Sequence, residues 1–310
     1  MKKNILLFLL LFIVCVNVHS ADTGTVAIVS SIDGQASLKS GDTEKPLDLG
    51  AELKDGDTVI IGKKSSLTVL FQNGALMIYN KEGVHSISVK DADKRAKTRG
   101  IIPEVVKDFN NTFNEEQREE TLGKVLSLRP IEDFMLIYPR MKVFSVRPRF
   151  LWDVSQEIHE RAFIIVIGEV GGRELLRIPV SDICEMDYPS FAPPLTRGNI
   201  YYWRIELVSG DDYSDDMSFT VVDENEASNY TVEIDRINKN YKDQNVKDML
   251  IGKLLTGNSL YTEAIEYYNK LAARNPNSIY PHQELAIIYQ NTYLKKLYDS
   301  EMLKIKELKK

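Results

Sequence analysis

From Thr25 to Val89 the apolar residues come in short runs separated by turn residues. Val26, Ile28 and Val29 open the series, Ser31-Ile32-Asp33-Gly34 turns, and Ala36 to Leu38 follows before Ser40-Gly41-Asp42. Thr58–Ile61, Ser66–Phe71, Ala75–Tyr79 and Val84–Val89 read as further strands. Asn73-Gly74 lies between apolar runs and predicts a type I′ hairpin, in which both central residues take positive φ. Leu67, Val69 and Phe71 alternate with Thr68, Leu70 and Gln72. Leu70 breaks strict alternation, so both faces of this strand are expected to be partly covered. Strands at this spacing predict a small sandwich or twisted β-roll.

The pattern then changes twice. Asp91–Thr98 is polar and ends the first β region. Pro103 to Leu128 reads helical, with Val105, Val106, Phe109 and Phe113 on one face and Leu122, Val125 and Leu126 resuming it. Strand patterning returns from Ile131 to Val222. Gly171-Gly172 predicts a hairpin there, and Trp152, Phe163, Ile165, Ile167, Tyr202 and Ile205 are core candidates. From about Asn229 the chain reads helical again.

Three segments carry resemblances. Leu47, Gly50, Leu53, Gly56, Asp57, Gly62, Leu70, Phe71, Asn73, Gly74 and Leu76 match the turn-and-strand pattern of the FecR-type periplasmic domain. The match covers roughly residues 24–90, and it implies an all-β module that binds protein or cell-envelope material. Regulatory members of that family also carry a cytoplasmic anti-sigma segment and a spanning helix. Neither pattern occurs in this sequence, so signalling across a membrane does not carry over. Leu195-x-x-Gly198-x-x-Tyr201-x-Trp203-Arg204 resembles the penultimate-strand motif of immunoglobulin and fibronectin-III-like sandwiches. That fold hosts many functions and selects none. The tail resembles tetratricopeptide repeats, whose period is about 34 residues. Gly252, Tyr261, Ala264, Tyr268, Leu271 and Pro276 fall on the pattern's positions, and Leu285-Ala286 repeats the pair Ile251-Gly252. Tyr298 falls where a small residue is usual, so the second repeat reads as degenerate or as a cap. Two repeats need a further helix or a partner to bury the exposed end.

The expected architecture is multidomain. It is mainly β in the N-terminal and middle parts, a small β-sandwich or β-roll and then an immunoglobulin-like sandwich, with an α-helical, tetratricopeptide-like C-terminus. Its bounds are 1–20 for an export signal, 21–98 for the FecR-like domain and 99–129 for a helical linker. The immunoglobulin/fibronectin-III-like sandwich takes 130–225, and two tetratricopeptide-like repeats take 229–310.

Composition narrows the function. Length 310, 43% hydrophobic and 27% charged residues are those of a globular chain of two or three domains. The net charge of −6 gives no electrostatic pull towards nucleic acid or an anionic membrane surface. At the start, Lys2 and Lys3 precede an apolar run from Ile5 to Val16, and Val18-His19-Ser20 fits a cleavage site. The run falls short of the roughly 20 residues of a membrane span. It reads as an export signal, which places the mature protein in the periplasm or cell envelope of a bacterium. Cys15 leaves with it; a lipid anchor there is disfavoured by the bulk of Val14. Cys184 then remains alone among acidic neighbours, the opposite of a nucleophile's setting.

Candidate chemistry is sparse. His85, His159 and His282 share no metal-ligand spacing with each other or with a cysteine. Asp211, Asp212, Asp215 and Asp216 could gather round calcium, but the cluster lacks the Gly and the distal Glu of the helix-loop-helix calcium motif, and a solvated hairpin loop is the simpler reading. Trp152, Tyr201, Tyr202 and Trp203 could stack on sugar rings; since adjacent strand residues face opposite ways, either Tyr202 or Trp203 belongs to the core. No catalytic constellation, cofactor or metal site is expected. The function expected is that of a non-enzymatic envelope adaptor. Its partners would be envelope proteins, gripped by exposed tail aromatics such as Tyr261, Tyr267 and Tyr289. The alternative is a cell-wall or glycan-binding protein, with peptidoglycan or polysaccharide held by the β domains.

Overall fold

The computed structural model describes residues 24–41, 43–94, 134–159, 161–210 and 212–310. The export segment at 1–20 with Cys15, the helix expected within 99–129, and Asp211 lie outside the described residues. β-sheets make up the N-terminal and middle parts, and helices the C-terminal part.

The N-terminal strands are β1 (Thr25–Asp33), β2 (Ala36–Ser40), β3 (Thr43–Pro46), β4 (Glu52–Lys54), β5 (Thr58–Ile61), β6 (Ser66–Phe71), β7 (Leu76–Tyr79) and β8 (Gly83–Ser86). They form two four-stranded sheets, β4-β1-β6-β7 and β3-β2-β5-β8, with antiparallel pairing throughout. Ala27, Val29, Leu53, Leu67, Val69 and Phe71 from one sheet meet Ala36, Val59 and Ile61 from the other. The last strand stops earlier than expected, because the Ser88 hydroxyl caps a short helix, α1 (Val89–Asp93). The turn at Asn73-Gly74 is not type I′. Of its two central residues only Gly74 has positive φ (81°). Gly74 N–H donates to Phe71 O at 2.8 Å, and Phe71 N–H to Ala75 O at 2.9 Å. This is a turn closed by a left-handed glycine at a bulge, the geometry of the longer hairpin loops.

The middle strands are β9 (Phe134–Tyr138), β10 (Met141–Val143), β11 (Arg149–Val154), β12 (Ala162–Glu169), β13 (Glu174–Ser181), β14 (Glu185–Asp187), β15 (Ile200–Leu207) and β16 (Met217–Val221). A five-stranded sheet, β10-β16-β15-β12-β13, faces a three-stranded one, β14-β11-β9. The β12–β13 hairpin turns at Gly171 (φ 76°), as expected at Gly171-Gly172. Phe150, Trp152, Phe163, Ile165, Ile167, Trp203, Ile205 and Phe219 fill the space between the sheets. Leu195, Tyr201 and Trp203 of the penultimate-strand pattern all enter this core, and the Tyr201 hydroxyl accepts the Thr196 N–H at 2.8 Å. Tyr202, expected in the core, faces the other way because its neighbours Tyr201 and Trp203 face in.

The helices are α2 (Glu224–Asn240), α3 (Gln244–Gly257), α4 (Tyr261–Arg274), α5 (Tyr280–Asn291) and α6 (Lys295–Leu308). The first of them begins before Asn229, because the Asp223 carboxylate accepts the Glu226 N–H at 2.9 Å and starts the helix there. The α3–α4 and α5–α6 turns repeat one geometry 34 residues apart (294 minus 260). Ser259 and Tyr293 both take left-handed φ, 61° and 58°. Leu260 N–H donates to Leu255 O at 2.9 Å, and Leu294 N–H to Tyr289 O at 2.8 Å, closing each helix end the same way. Gly252 allows close packing: a Cβ there would lie 2.8 Å from the Tyr268 ring.

These helices share one apolar core with both β modules. It contains Ile28, Leu49 and Leu70 from the first, Ile137, Tyr138 and Val222 from the second, and buried residues from α2 through α6. Leu70 thus breaks alternation for a reason. β6 points Leu67, Val69 and Phe71 into its own sandwich and Leu70 into the helices. β9 does the same, with Phe134 and Leu136 inward and Met135 and Ile137 towards the helices.

Candidate functional site

The tail tyrosines are not the exposed anchors that repeat patterning predicts. Tyr261 and Tyr289 are each only 8% exposed, and Tyr267 is half-buried beneath Lys270, whose Nζ lies 5.2 Å from its ring centroid. The reason is tertiary: the end of β9 packs Ile137 and Tyr138 into the apolar cluster that holds Tyr261 and Tyr289. Burial pushes the Tyr138 phenol up to about 12 and raises the Tyr289 phenol as well, so both stay neutral.

Polar contacts tie the same joints. On the N-terminal side, Ile279 N–H donates to Asp48 Oδ2 at 2.9 Å, and the Tyr241 hydroxyl to Gly74 O at 3.0 Å. Gly50, with φ 78°, lies so close to Tyr280 that a Cβ would overlap its ring. On the middle side, the Arg140 guanidinium donates to Ile137 O (2.9 Å), Leu136 O and Thr292 O. Thr292 is the C-cap of α5, where a cation offsets the helix dipole. Glu263 Oε1 accepts two N–H groups, from Phe144 at 2.6 Å and Ser145 at 3.0 Å. Lys142 pairs with Glu226 at 2.8 Å.

The outer face of the five-stranded sheet is different. Arg177 and Arg204 bridge Glu174 and Glu206, and Arg204 also reaches Asp216 at 3.5 Å. Hydrogen bonds from both arginines hold the Glu174 carboxyl below its ordinary range. Tyr202 lies over Gly168, with the Arg204 guanidinium 5.8 Å from its ring centroid. Beside this network a cleft of about 490 Å³ is lined by Arg204, Glu206, Tyr213, Ser214, Asp215 and Asp216, and Tyr213 is 68% exposed. Asp212 and Asp215 stand out in solvent, while Asp216 faces Arg204, a cation in competition with any metal ion. No group of acidic, histidine or cysteine side chains able to hold a metal occurs among the described residues.

The remaining candidates are scattered. Trp152 and Trp203 are buried, and Trp203 Nε1 donates to Pro139 O at 2.9 Å. Cys184 is exposed. His85 contacts Lys81 O at 2.7 Å, His159 is exposed, and His282 Nδ1 lies 2.7 Å from Glu301 Oε2, tying α5 to α6.

Sequence reasoning passed over Phe191, which is 79% exposed. Its loop is pinned from several sides. Arg147 donates to Pro189 O at 2.6 Å and Ala192 O at 2.7 Å, the Tyr188 hydroxyl donates to Pro193 O at 2.9 Å, and Leu195 N–H to Val146 O at 3.0 Å. A loop held this firmly presents its aromatic ring at little further entropic cost on binding. The available signal was the stretch Pro189 to Pro194, an aromatic among three prolines between two strands.

No family model matches the chain, and no curated protein does. Eight solved chains match. One, described as a cell surface anchoring domain, is 22% identical over 24% of this chain and 96% of its own, with a TM-score of 0.21. Another, a beta-1,2-glucanase from Parabacteroides distasonis, is 7% identical over 92% of this chain, with a TM-score of 0.21. The chain spans 58% of that glucanase. Overlaps this slight carry no argument about fold or activity. Among the described residues, no helix is long and apolar enough to cross a membrane.

Proposed function

We propose that the chain is a non-enzymatic, exported cell-envelope scaffold in which a FecR-like and an immunoglobulin-like β module are held at a fixed spacing by tetratricopeptide-like helix pairs. The observation that carries this reading is the single apolar core that joins the helices to both modules. An adaptor that grasps with a free helical groove would leave that face open; here Tyr261 and Tyr289 are buried in the core that the helices share with both β modules. Partners are therefore assigned to the β modules, with Phe191 as the anchor. The FecR-like reading is supported by its turn glycines: Gly50, Gly56 and Gly74 all take left-handed φ. The tetratricopeptide-like reading is supported by the 34-residue repeat of helix-end geometry (294 minus 260).

The test is cross-linking capture from envelope extract by the full chain and by Phe191→Ala. A hot-spot aromatic costs about 2 kcal/mol or more on truncation, so capture should fall roughly thirtyfold with the unfolding midpoint unchanged. Equal capture by both chains refutes Phe191 as the anchor. Cutting the tail off is a poor test, because it would bare Ile28, Leu70 and Tyr138.

A second reading, binding of cell wall or glycan, draws on the cleft beside Tyr213. Tryptophan quenching would not report on it, since Trp152 and Trp203 are buried. Co-sedimentation with purified peptidoglycan that Tyr213→Ala abolishes would favour this reading over the first.

A further inference from the structure

Glu263 stands in the first turn of α4 and closes the joint with the middle module. Its Oε1 accepts the N–H groups of Phe144 and Ser145, the two residues that follow β10. The residue as a whole is part-buried, but Oε2 is sealed from solvent with no hydrogen-bond partner among the described residues. An ionised carboxylate here keeps half its charge on an oxygen with no donor. A neutral carboxyl keeps the Oε1 contacts and sheds that desolvation cost. Burial accordingly raises this carboxyl to about 7 from 4.5, against the pull of the Ser145 and Phe144 N–H groups, and Glu266 pushes the same way.

The charged groups on the surrounding elements are engaged elsewhere. On α4, the Tyr267 phenol is pushed up, mainly by burial, and Lys270 lies over its ring. From the middle module, Lys142 pairs with Glu226, while Arg197 donates to Phe144 O at 3.0 Å and lies 3.3 Å from Glu224. From α2, the Tyr230 hydroxyl donates to Glu226 at 3.2 Å, and its ring packs edge-on against Phe144.

We propose that the joint between the middle β module and α4 is a proton-operated latch, closed while Glu263 is protonated and loosened when it ionises. The docked carboxyl holds its proton up to about pH 7, whereas a released one gives it up near 4.5. The proton's contribution to docking is therefore complete below about 4.5 and is lost as pH rises through about 7.

The test is amide hydrogen exchange at Phe144 and Ser145 in the full chain from pH 5 to 8, corrected for intrinsic rates. In the wild type, protection should fall at least about tenfold across that range. In Glu263→Gln, which keeps an acceptor oxygen and cannot ionise, protection should stay flat. A flat wild-type profile, or the same slope in both chains, overturns the proposal. Should the variant fail to fold, the carbon-13 shift of the Glu263 carboxyl in the wild type decides: a midpoint near 7 supports the latch, and one near 4.5 refutes it.

Discussion

Leu70 on β6 and Arg204 on β15 occupy equivalent places: each points away from the core of its own sandwich. Leu70 is fully buried, because it packs into the core that the first module shares with the helices. Arg204 stays near solvent, in a lattice of ion pairs with Glu174, Glu206 and Asp216. A strand has two faces, and the second one decides how modules combine. At these two places the apolar outward residue marks a joint within the chain, and the charged one a face left to ion pairs and solvent.

The largest expected effect strikes the covered face. Leu70→Ala should cost about 2–5 kcal/mol in urea unfolding, as much as Leu67→Ala in the sandwich core. A cost under ~1 kcal/mol for Leu70→Ala alone would mean that the helices do not cover this face. Gly50→Ala follows. It places a methyl group against the Tyr280 ring at φ 78° and should destabilise the same joint by about 1–3 kcal/mol. If thermal unfolding shows no change, the Tyr280 ring does not pack against Gly50.

The open face should be tolerant. Arg204→Ala removes partly exposed ion pairs and should cost about 1 kcal/mol or less, less still in high salt. A salt-independent loss larger than that would show that the guanidinium's packing over the sheet, rather than its charge, is what matters.

Much of the architecture was legible from short-range rules. β5 and β6 fall where alternation and turn residues put them, and the helix-end geometry recurs at the 34-residue spacing (294 minus 260) that Gly252 and Ala286 imply. The candidate site was far less legible. Tyr261 and Tyr289 fall at positions that match the repeat pattern, yet such a pattern alone leaves their outer side to solvent, whereas both are buried. What buries them is a shared core that includes Tyr138, more than 100 residues earlier in the chain (261 minus 138 is 123). Phe191 was overlooked because a lone aromatic in a loop looks unremarkable until the Arg147 fork is seen to hold it out.

By itself, then, the sequence determined which parts of the chain are β and which are helical, where most turns fall and most of the inward residues. Alternation, turn preference and helical spacing act over a few positions and are written locally. Only the tertiary structure decided which outward faces meet: Leu70 and Ile137 against the helices, Arg204 towards solvent, and Glu263 closed over the end of β10. Such pairings depend on packing between segments far apart in the chain. No local pattern records which apolar stripe will find which, or which carboxylate will be buried when they do.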